Sequence, residues 1–360
     1  MKTIAVLFLL LFSHFALSDF KVDIIAEGLS KPWGVAKLPD GRFLVTEKKG
    51  DLRLVDADGI ISPPVAGLPS ISVVGQGGLL DVILHPQFSD NQLIYFSFVA
   101  GSMSKGYGTE VMRAKLLGNR LVDQKVIFTA LPKVSGGRHF GSRLLFDAKG
   151  YLFVALGDRG RRDEAQNLDS HIGTVVRLKD DGSIPKDNPF VSIPNAKPEI
   201  YSYGHRNVQG LALHPKTAEV WAHEHGPQGG DEVNVLVSGE NYGWPIITYG
   251  AEYGTGFKIG EGAEKSGMQQ PVYFWDPSIA PSGMAFFEDD LFVGALKFQL
   301  LARLSLEGRR ITKEERLYER EFGRIRDVKT FYSDNLNTNA IYLLTDAGDG
   351  KLIRLTKIVK

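Results

Sequence analysis

The 360-residue chain is 43% hydrophobic and 23% charged, a balance typical of a globular protein that buries a sizeable core. Its 42 Lys and Arg residues equal its 42 Asp and Glu residues, which excludes a global field that would attract nucleic acid or an anionic membrane. The chain contains no cysteine, so disulfide bonds are excluded and stability must come from core burial or from metal binding.

The first element in chain order is a signal peptide, predicted for residues 1–18. One lysine precedes an apolar stretch, and the small residues Ala16 and Ser18 predict cleavage before Asp19. No later segment approaches the ~20 apolar residues of a membrane span. We therefore expect an exported protein without stable membrane insertion, which in a Gram-negative source is periplasmic. Residues 19–360 are expected to form a single domain.

Beyond residue 18 the helical period is nearly absent, and short β-rich runs alternate with Gly, Asp, Asn and Pro turns. An apolar run, a turn, a second run, a glycine turn and a third run recur in units at 33–56, 78–99, 142–160, 209–226, 282–308 and 326–357. This recurrence predicts an all-β six-bladed β-propeller with four-stranded antiparallel blades. The lone strand 20–29 is expected to close the last blade as its outer strand. A two-sheet sandwich is the alternative fold.

In a propeller, the loops that precede the inner strands converge on one mouth of the central channel. The polar and aromatic residues predicted at that mouth are Gln76, His139, His205, Arg206, Asn207, Gln209, Trp275, Asp276, Lys297, Arg324 and Arg326. Several guanidiniums and a lysine beside amides suit a flat polyanion that arginine forks can grip in bidentate fashion. Taken singly, each residue also has a structural interpretation, an arginine as a surface ion pair and Trp275 as part of the core.

His139 stands between Arg138 and Arg143 among glycines, immediately before a predicted strand. The flanking guanidinium groups are expected to lower the pKa of the imidazole and keep it neutral, as a general base requires. A purely structural role is the alternative for a histidine found in this setting.

A second polar cluster occupies residues 221–245, where His223, Glu224, His225, Asp231 and Glu232 are interrupted by glycines and a proline. The segment lacks a third ligand at a spacing that zinc would require. Carboxylates and backbone carbonyls in a glycine-rich loop favour calcium. A polar loop between two blades, without a metal, is the alternative.

Several motifs occur in a fixed order along the chain: GQGGLLD (75–81), GDRG (157–160), YGHRNVQGL (203–211), EHGPQGGDEVN (224–234), GALK (294–297) and RIRDV (324–328). With them, the chain resembles the soluble PQQ-dependent aldose sugar dehydrogenases of the quinoprotein glucose/sorbosone dehydrogenase family over roughly residues 20–357. This resemblance implies oxidation of an aldose at C1 to a lactone, with PQQ and Ca²⁺ as cofactors and an unidentified electron acceptor. It favours a monomer, because the long insertions of the soluble glucose dehydrogenases are missing.

The resemblance also implies which residues bind PQQ, a flat ortho-quinone with three carboxylates. The implied cofactor-binding residues are Gln76, Arg206, Asn207, Lys297, Arg324 and Arg326. The lysine and the last two arginines would neutralise the carboxylates. Gln76 would hydrogen-bond the cofactor, and Arg206 with Asn207 would lie against its reactive carbonyls.

The remaining implied roles are catalytic, metal-binding and substrate-binding. His139 matches the general base of the family, Asp158 its hydrogen-bonding partner, and Arg206 a cation that stabilises the oxyanion. The implied calcium-binding residues are Gly226 and Pro227 through their carbonyls, with Glu232 and the backbone of Tyr242 at a second site. Trp275 is expected at the sugar. Two other functions stay open: a calcium-dependent lactonase and a non-catalytic ligand-binding propeller.

Overall fold

The computed structural model describes residues 19–358, so the predicted signal peptide at 1–18 lies outside the described residues. Nearly all regular structure is β, in six antiparallel sheets whose inner strands contact one another around a central axis. Short helices lie in the connections, at Phe88–Asn91 as α1 and, in the 3₁₀ form, at Arg162–Gln166 and Asp334–Leu336. The six-bladed all-β prediction is confirmed.

The blades are numbered along the chain, and the strands of each are given from the axis outwards. Blade 1 contains β2 (Pro32–Lys37), β3 (Phe43–Glu47) and β4 (Asp51–Val55), and blade 2 contains β5 (Leu79–Leu84), β6 (Leu93–Ser102), β7 (Gly106–Leu117) and β8 (Arg120–Thr129). Blade 3 contains β9 (Leu144–Phe146), β10 (Leu152–Ala155), β11 (Thr174–Leu178) and β12 (Ile200–Tyr203), and blade 4 contains β13 (Val208–Leu213), β14 (Val220–Glu224), β15 (Asp231–Val235) and β16 (Tyr273–Trp275). Blade 5 contains β17 (Pro281–Phe287), β18 (Asp290–Ala295), β19 (Leu301–Glu307) and β20 (Arg310–Leu317), and blade 6 contains β21 (Ile325–Ser333), β22 (Thr338–Thr345), β23 (Gly350–Lys357) and β1 (Phe20–Leu29).

The ring is closed by the first strand of the described chain. Strand β1 pairs antiparallel with β23, from Phe20 opposite Lys357 to Leu29 opposite Gly350. The predicted position of residues 20–29 is therefore confirmed, and the pairing covers the edge of the last blade.

Blade 1 has three strands in place of four. The segment after β4 pairs with that strand at one bridge, between Val55 and Ile61, and through the N–H groups of Ser62 and Val65, but forms no fourth strand. Two consecutive prolines, Pro63 and Pro64, follow this bridge. Because proline has no N–H to donate, it cannot extend a ladder of hydrogen bonds along β4.

The core is divided among the interfaces between neighbouring blades. Between blades 4 and 5, the fully buried Trp221 meets Phe286 edge to face, with ring centroids 5.6 Å apart. Between blades 5 and 6, Phe20 packs against Phe287 and Phe292 at 5.8 Å in each case. Such interfaces remove the facing sides of neighbouring sheets from water, and the inter-blade aromatic pairs add to their packing.

A buried ion cluster occupies the axis itself. Arg143, only 1% exposed, donates through Nη1 to Asp81 Oδ1 at 3.0 Å and to Asp327 Oδ1 at 2.8 Å. Its Nε donates to the carbonyl of Gln209 at 3.0 Å, so one side chain links blades 2, 4 and 6 to blade 3. The guanidinium lies 4.4 Å from the ring centroid of Trp33. The expectation that Arg143 acts on His139 is wrong, because this side chain turns into the axis.

None of the helices within residues 19–358 has the length and apolar character needed to cross a membrane.

Candidate active site

A cavity of about 300 Å³ opens at one end of the axis. All six blades contribute to its wall, mainly through the first residues of inner strands and the loops before them. The lining residues are Lys31, Trp33, Lys48, Gln76, Leu80, Phe140, Gly141, Asn207, Gln209, His225, Leu296, Arg324, Arg326 and Asp346. The predicted convergence of remote loops on one mouth therefore brings Gln76, Asn207, Arg324 and Arg326 together.

The cavity wall carries an excess of positive charge. The lining residues include four cations, Lys31, Lys48, Arg324 and Arg326, and one carboxylate, Asp346. Their net formal charge is +3. Nη2 of Arg324 and Nη2 of Arg326 both donate to Asp346 Oδ2, at 2.9 and 3.0 Å. Burial alone would raise the pKa of Asp346, but the two guanidinium groups hold it below its usual value, so the carboxylate stays ionised. A positive, partly enclosed cavity of this kind favours an anionic ligand.

His139 is fixed at the rim of this cavity through its backbone and its ring. Its N–H donates to Oε1 of Gln76 at 2.7 Å, and the next two residues line the cavity. The backbone of His139 has φ +53°, a left-handed conformation that a non-glycine residue adopts at a cost. Nδ1 lies 2.6 Å from Oδ1 of Asp158, and Nε2 makes no hydrogen bond to any residue in the range 19–358.

Asp158 is held in turn by two further donors. The N–H of Gly160 donates to Oδ1 at 2.7 Å, and Nε1 of Trp244 donates to Oδ2 at 2.8 Å. Burial alone would raise the pKa of Asp158, but the interaction with His139, the N–H of Gly160 and the charge of Arg206 lower it, so the carboxylate is ionised. An ionised acceptor opposite Nδ1 favours the tautomer with its proton on Nδ1, leaving the lone pair on Nε2.

The pKa of His139 is lowered from its ordinary value. Burial is the largest cause, and the positive charges of Arg206 and Arg138 add to it, while Asp158 opposes them. The imidazole is therefore neutral at pH 7, as the sequence predicted, but burial contributes more than the flanking arginines. Its side chain remains 12% exposed, which leaves the ring accessible from the mouth.

Arg206 and Asn207 lie next to each other but face different spaces. Asn207 lines the cavity, and its Oδ1 accepts from the N–H of Gly141 at 3.2 Å. The guanidinium of Arg206 donates to the carbonyl of His225 at 3.1 Å and lies 5.4 Å from the ring centroid of Trp244. It therefore occupies the partition between the cavity and a small neighbouring recess.

That recess contains three of the four residues predicted to bind calcium, Gly226, Glu232 and Tyr242. It is lined by Gly204, Arg206, Glu224, His225, Gly226, Gly230, Glu232, Tyr242, Trp244, Ile247 and Thr248. Burial, together with the negative charge of Glu224, raises the pKa of Glu232 to about 8. The buried carboxylate of Glu224 and the half-buried one of Glu232 lie on paired strands, and they repel each other unless a proton or a cation lies between them. Among residues 19–358, no group of three or more His, Asp or Glu side chains could hold a metal, so backbone oxygens would have to complete any site.

The turn at Gly226 and Pro227 offers such oxygens. Both residues are buried, and neither carbonyl accepts a hydrogen bond from the described chain. The N–H of Gly226 donates to Oδ1 of Asp231 at 2.9 Å, which fixes the turn. A Cβ at Gly226 would come within 2.2 Å of the carbonyl oxygen of Gly230 and 2.3 Å of that of Gly229, so only glycine fits. Unused buried carbonyls in a rigid glycine turn fit a hard cation such as Ca²⁺.

Of the residues predicted at the mouth, Trp275 and Lys297 lie away from the cavity, and neither His205 nor Asp276 lines it. Trp275 is 3% exposed in the core between blades 4 and 5, with its ring 5.2 Å from that of Tyr273. It belongs to β16, the outermost strand of blade 4, so the expectation that it meets a sugar is wrong. The side chain of Lys297 is exposed, with Nζ 5.0 Å from the ring centroid of Phe298. Only its neighbour Leu296 reaches the cavity.

Sequence analysis missed several lining residues. Lys31 and Trp33 precede and begin the inner strand of blade 1, so the rule that found Gln76 would also have found them. Lys48 and Asp346 follow the second strands of blades 1 and 6. A charged residue just after the second strand of a blade is expected at the same end of the axis. The sequence prediction applied this reasoning to Lys297 in blade 5 only.

The model of the family described as Glucose / Sorbosone dehydrogenase matches residues 29–354. The chain belongs to this family. Over 348 residues it is 42% identical to aldose sugar dehydrogenase YliI of Escherichia coli, covering 93% of this chain and 92% of that protein. The family resemblance predicted from the sequence is thereby confirmed.

Solved structures of this family agree with the propeller. The soluble aldose sugar dehydrogenase of E. coli in its apo-form has a TM-score of 0.90 at 40% identity, covering 94% of this chain and 100% of that chain. The PQQ-bound form of aldose sugar dehydrogenase from Streptomyces coelicolor has a TM-score of 0.78 at 29% identity, covering 94% and 98%.

Proposed function

We propose that this protein is a PQQ-dependent aldose sugar dehydrogenase that oxidises its substrate at C1, with His139 as the general base. The observation that carries the proposal is the juxtaposition of a cavity of net charge +3 with a neutral, carboxylate-bound imidazole at its rim. The names of the E. coli and S. coelicolor relatives support the same activity.

The donor set of the cavity fits a planar tri-acid. Arg324 and Arg326 present guanidinium forks, and the amides of Gln76 and Asn207 line the same cavity. These residues would hold PQQ, and the carbonyls of Gly226 and Pro227 would hold Ca²⁺. When bound, PQQ would supply a hydride acceptor for the oxidation at C1, and Ca²⁺ would supply Lewis-acid polarisation.

The contribution of the chain itself is a positioned base. Nε2 of His139 takes the proton of the C1 hydroxyl as C1 is oxidised, giving a lactone from a cyclic sugar. Asp158 holds the ring through Nδ1 and stabilises the imidazolium that forms. General-base catalysis of this kind contributes about 10²–10⁴ to the rate. The guanidinium of Arg206 adds positive charge beside the same site.

Two other functions are less well supported. A calcium-dependent lactonase needs carboxylates gathered on an axial metal, but the one carboxylate of the cavity wall is already shared by two guanidiniums. A non-catalytic ligand-binding propeller gives no reason for an ionised Asp158 to fix one tautomer of His139.

A single reconstitution separates these functions. The apo-protein is incubated with PQQ and CaCl₂ and assayed for dye reduction by several aldoses, and for lactone hydrolysis without quinone. Dye reduction that requires PQQ supports the dehydrogenase. Lactone hydrolysis without PQQ would favour the lactonase, and the absence of both activities would favour a binding protein.

The proposal also covers export of the protein and its oligomeric state. The segment 1–18 would direct the chain across the membrane and be removed, and the mature protein would act as a monomer. Amino-terminal sequencing of the exported protein tests the first point, with Asp19 as the expected first residue. Light scattering during size-exclusion chromatography tests the second.

A further inference from the structure

We infer that Lys48 is a further cofactor-binding residue and supplies a cation to a carboxylate of PQQ. The inference rests on the proposed function, since it takes the tri-acid PQQ as the ligand. It concerns a residue of blade 1, whereas the family motifs in this chain supply cations from blades 4, 5 and 6 only.

The position of Lys48 is fixed by contacts on both sides. Its backbone carbonyl accepts the N–H of Leu79 at 3.1 Å, which ties the end of β3 to the start of β5. A Cβ at Gly78 would come within 2.0 Å of that carbonyl oxygen and 3.0 Å of Cγ of Lys48, so the lysine is tightly packed against this glycine. Nζ donates to the carbonyl of Gly75 at 2.6 Å, one residue before Gln76. The ammonium is thus held beside an amide that lines the same cavity.

The charge of Lys48 has no carboxylate partner within the described chain. Arg324 and Arg326 share Asp346, whereas Lys48 forms no ion pair with any Asp or Glu among residues 19–358. Burial lowers its pKa, the positive charge of Arg326 lowers it further, and Asp346 only partly offsets both effects. A half-buried ammonium beside a guanidinium is stabilised by an anion bound between them.

Lys297 lacks each of these features. Its side chain is exposed, its ammonium lies over the ring of Phe298, and it does not line the cavity. Lys31 does line the cavity but is exposed at its rim. Of the lysines in the wall, Lys48 is therefore the one whose ammonium is held in place by surrounding backbone.

The test measures binding and not turnover. PQQ is titrated into the apo-protein with CaCl₂, and quenching of tryptophan fluorescence reports binding because Trp33 lines the cavity. We compare Lys48→Met with Lys49→Met, a control at the exposed neighbouring position. Loss of a charge-assisted contact predicts a dissociation constant about tenfold or more higher for Lys48→Met. Lys49→Met is expected to match the wild type, and Lys48→Arg to restore most of the affinity.

A second ligand distinguishes charge recognition from damage to the fold. The trimethyl ester of PQQ carries no carboxylate charge, so Lys48→Met and wild type are expected to bind it equally. The inference is overturned if Lys48→Met binds PQQ within twofold of the wild type, or if it loses both ligands alike. Failure of the wild type itself to bind PQQ would instead overturn the proposed function.

Discussion

Replacing Asp158 by Asn tests the orientation of the base while preserving its shape. The carboxylate accepts three hydrogen bonds, from Nδ1 of His139, the N–H of Gly160 and Nε1 of Trp244. An amide has only one oxygen, so either orientation sets its NH₂ against a donor. If the NH₂ faces His139, the ring must take the tautomer protonated on Nε2 and can no longer accept a proton. If it faces Trp244, a buried donor is left unpaired.

The first orientation removes the lone pair from Nε2, and either orientation removes the negative charge that stabilises the imidazolium, so Asp158→Asn predicts a large loss of rate with a modest loss of stability. Misplacing a general base removes about 10²–10⁴ in kcat, which corresponds to about 3–5 kcal/mol of transition-state stabilisation. One unpaired buried donor costs about 1–3 kcal/mol of folding free energy. The assay is the rate of PQQ reduction by glucose in stopped flow, with Asp163→Asn, an exposed position on the same loop, as the control. A rate for Asp158→Asn within threefold of the wild type would refute the assigned role of this carboxylate.

Three further predictions address the base, the metal and the core. Because the pKa of His139 is lowered, kcat/KM should fall only as pH drops through a value below the ordinary ~6.5 of histidine, and a midpoint above 7 would contradict the assignment. Gly226→Ala should weaken calcium binding at least tenfold in a calorimetric titration, since its Cβ would meet two carbonyl oxygens, while wild-type affinity would show that this turn holds no ion. Trp275→Phe should lower the free energy of unfolding by about 1–3 kcal/mol with KM unchanged, and a raised KM at unchanged stability would return Trp275 to the sugar site.

Much of the fold could be predicted because each blade repeats one pattern of apolar runs and turns. The same rule placed strand 20–29 on the outside of blade 6, since a lone strand has no hairpin partner of its own. The three-stranded form of blade 1 was not predicted, although Pro63 and Pro64 already stood where a fourth strand would need N–H donors.

The site residues were predicted less completely than the fold, and the reason is geometric. Position within a repeat indicates which end of the propeller a residue occupies, and this brought Gln76, Asn207 and Arg326 to one cavity. It does not separate the outer strand of one blade from the loop that opens the next. Trp275 was misplaced for that reason.

Long side chains gave a second kind of error. Lys297 has the charge that a polyanion site needs, and Arg143 the charge that would lower the pKa of His139, but the direction of a flexible side chain depends on its packed neighbours. Arg143 turns towards Asp81 and Asp327, 62 and 184 positions away in the chain, and no local pattern signals that pairing.

The central claim is that a positive cavity holds PQQ beside His139 and that this imidazole takes the proton of the sugar. The most direct measurement compares wild type with His139→Ala, first by titration with PQQ and then by stopped-flow reduction of the bound cofactor with glucose. The account predicts unchanged PQQ affinity and a reduction rate at least about 10²-fold lower in the variant. Reduction at the wild-type rate, or loss of PQQ binding with the histidine, would contradict it.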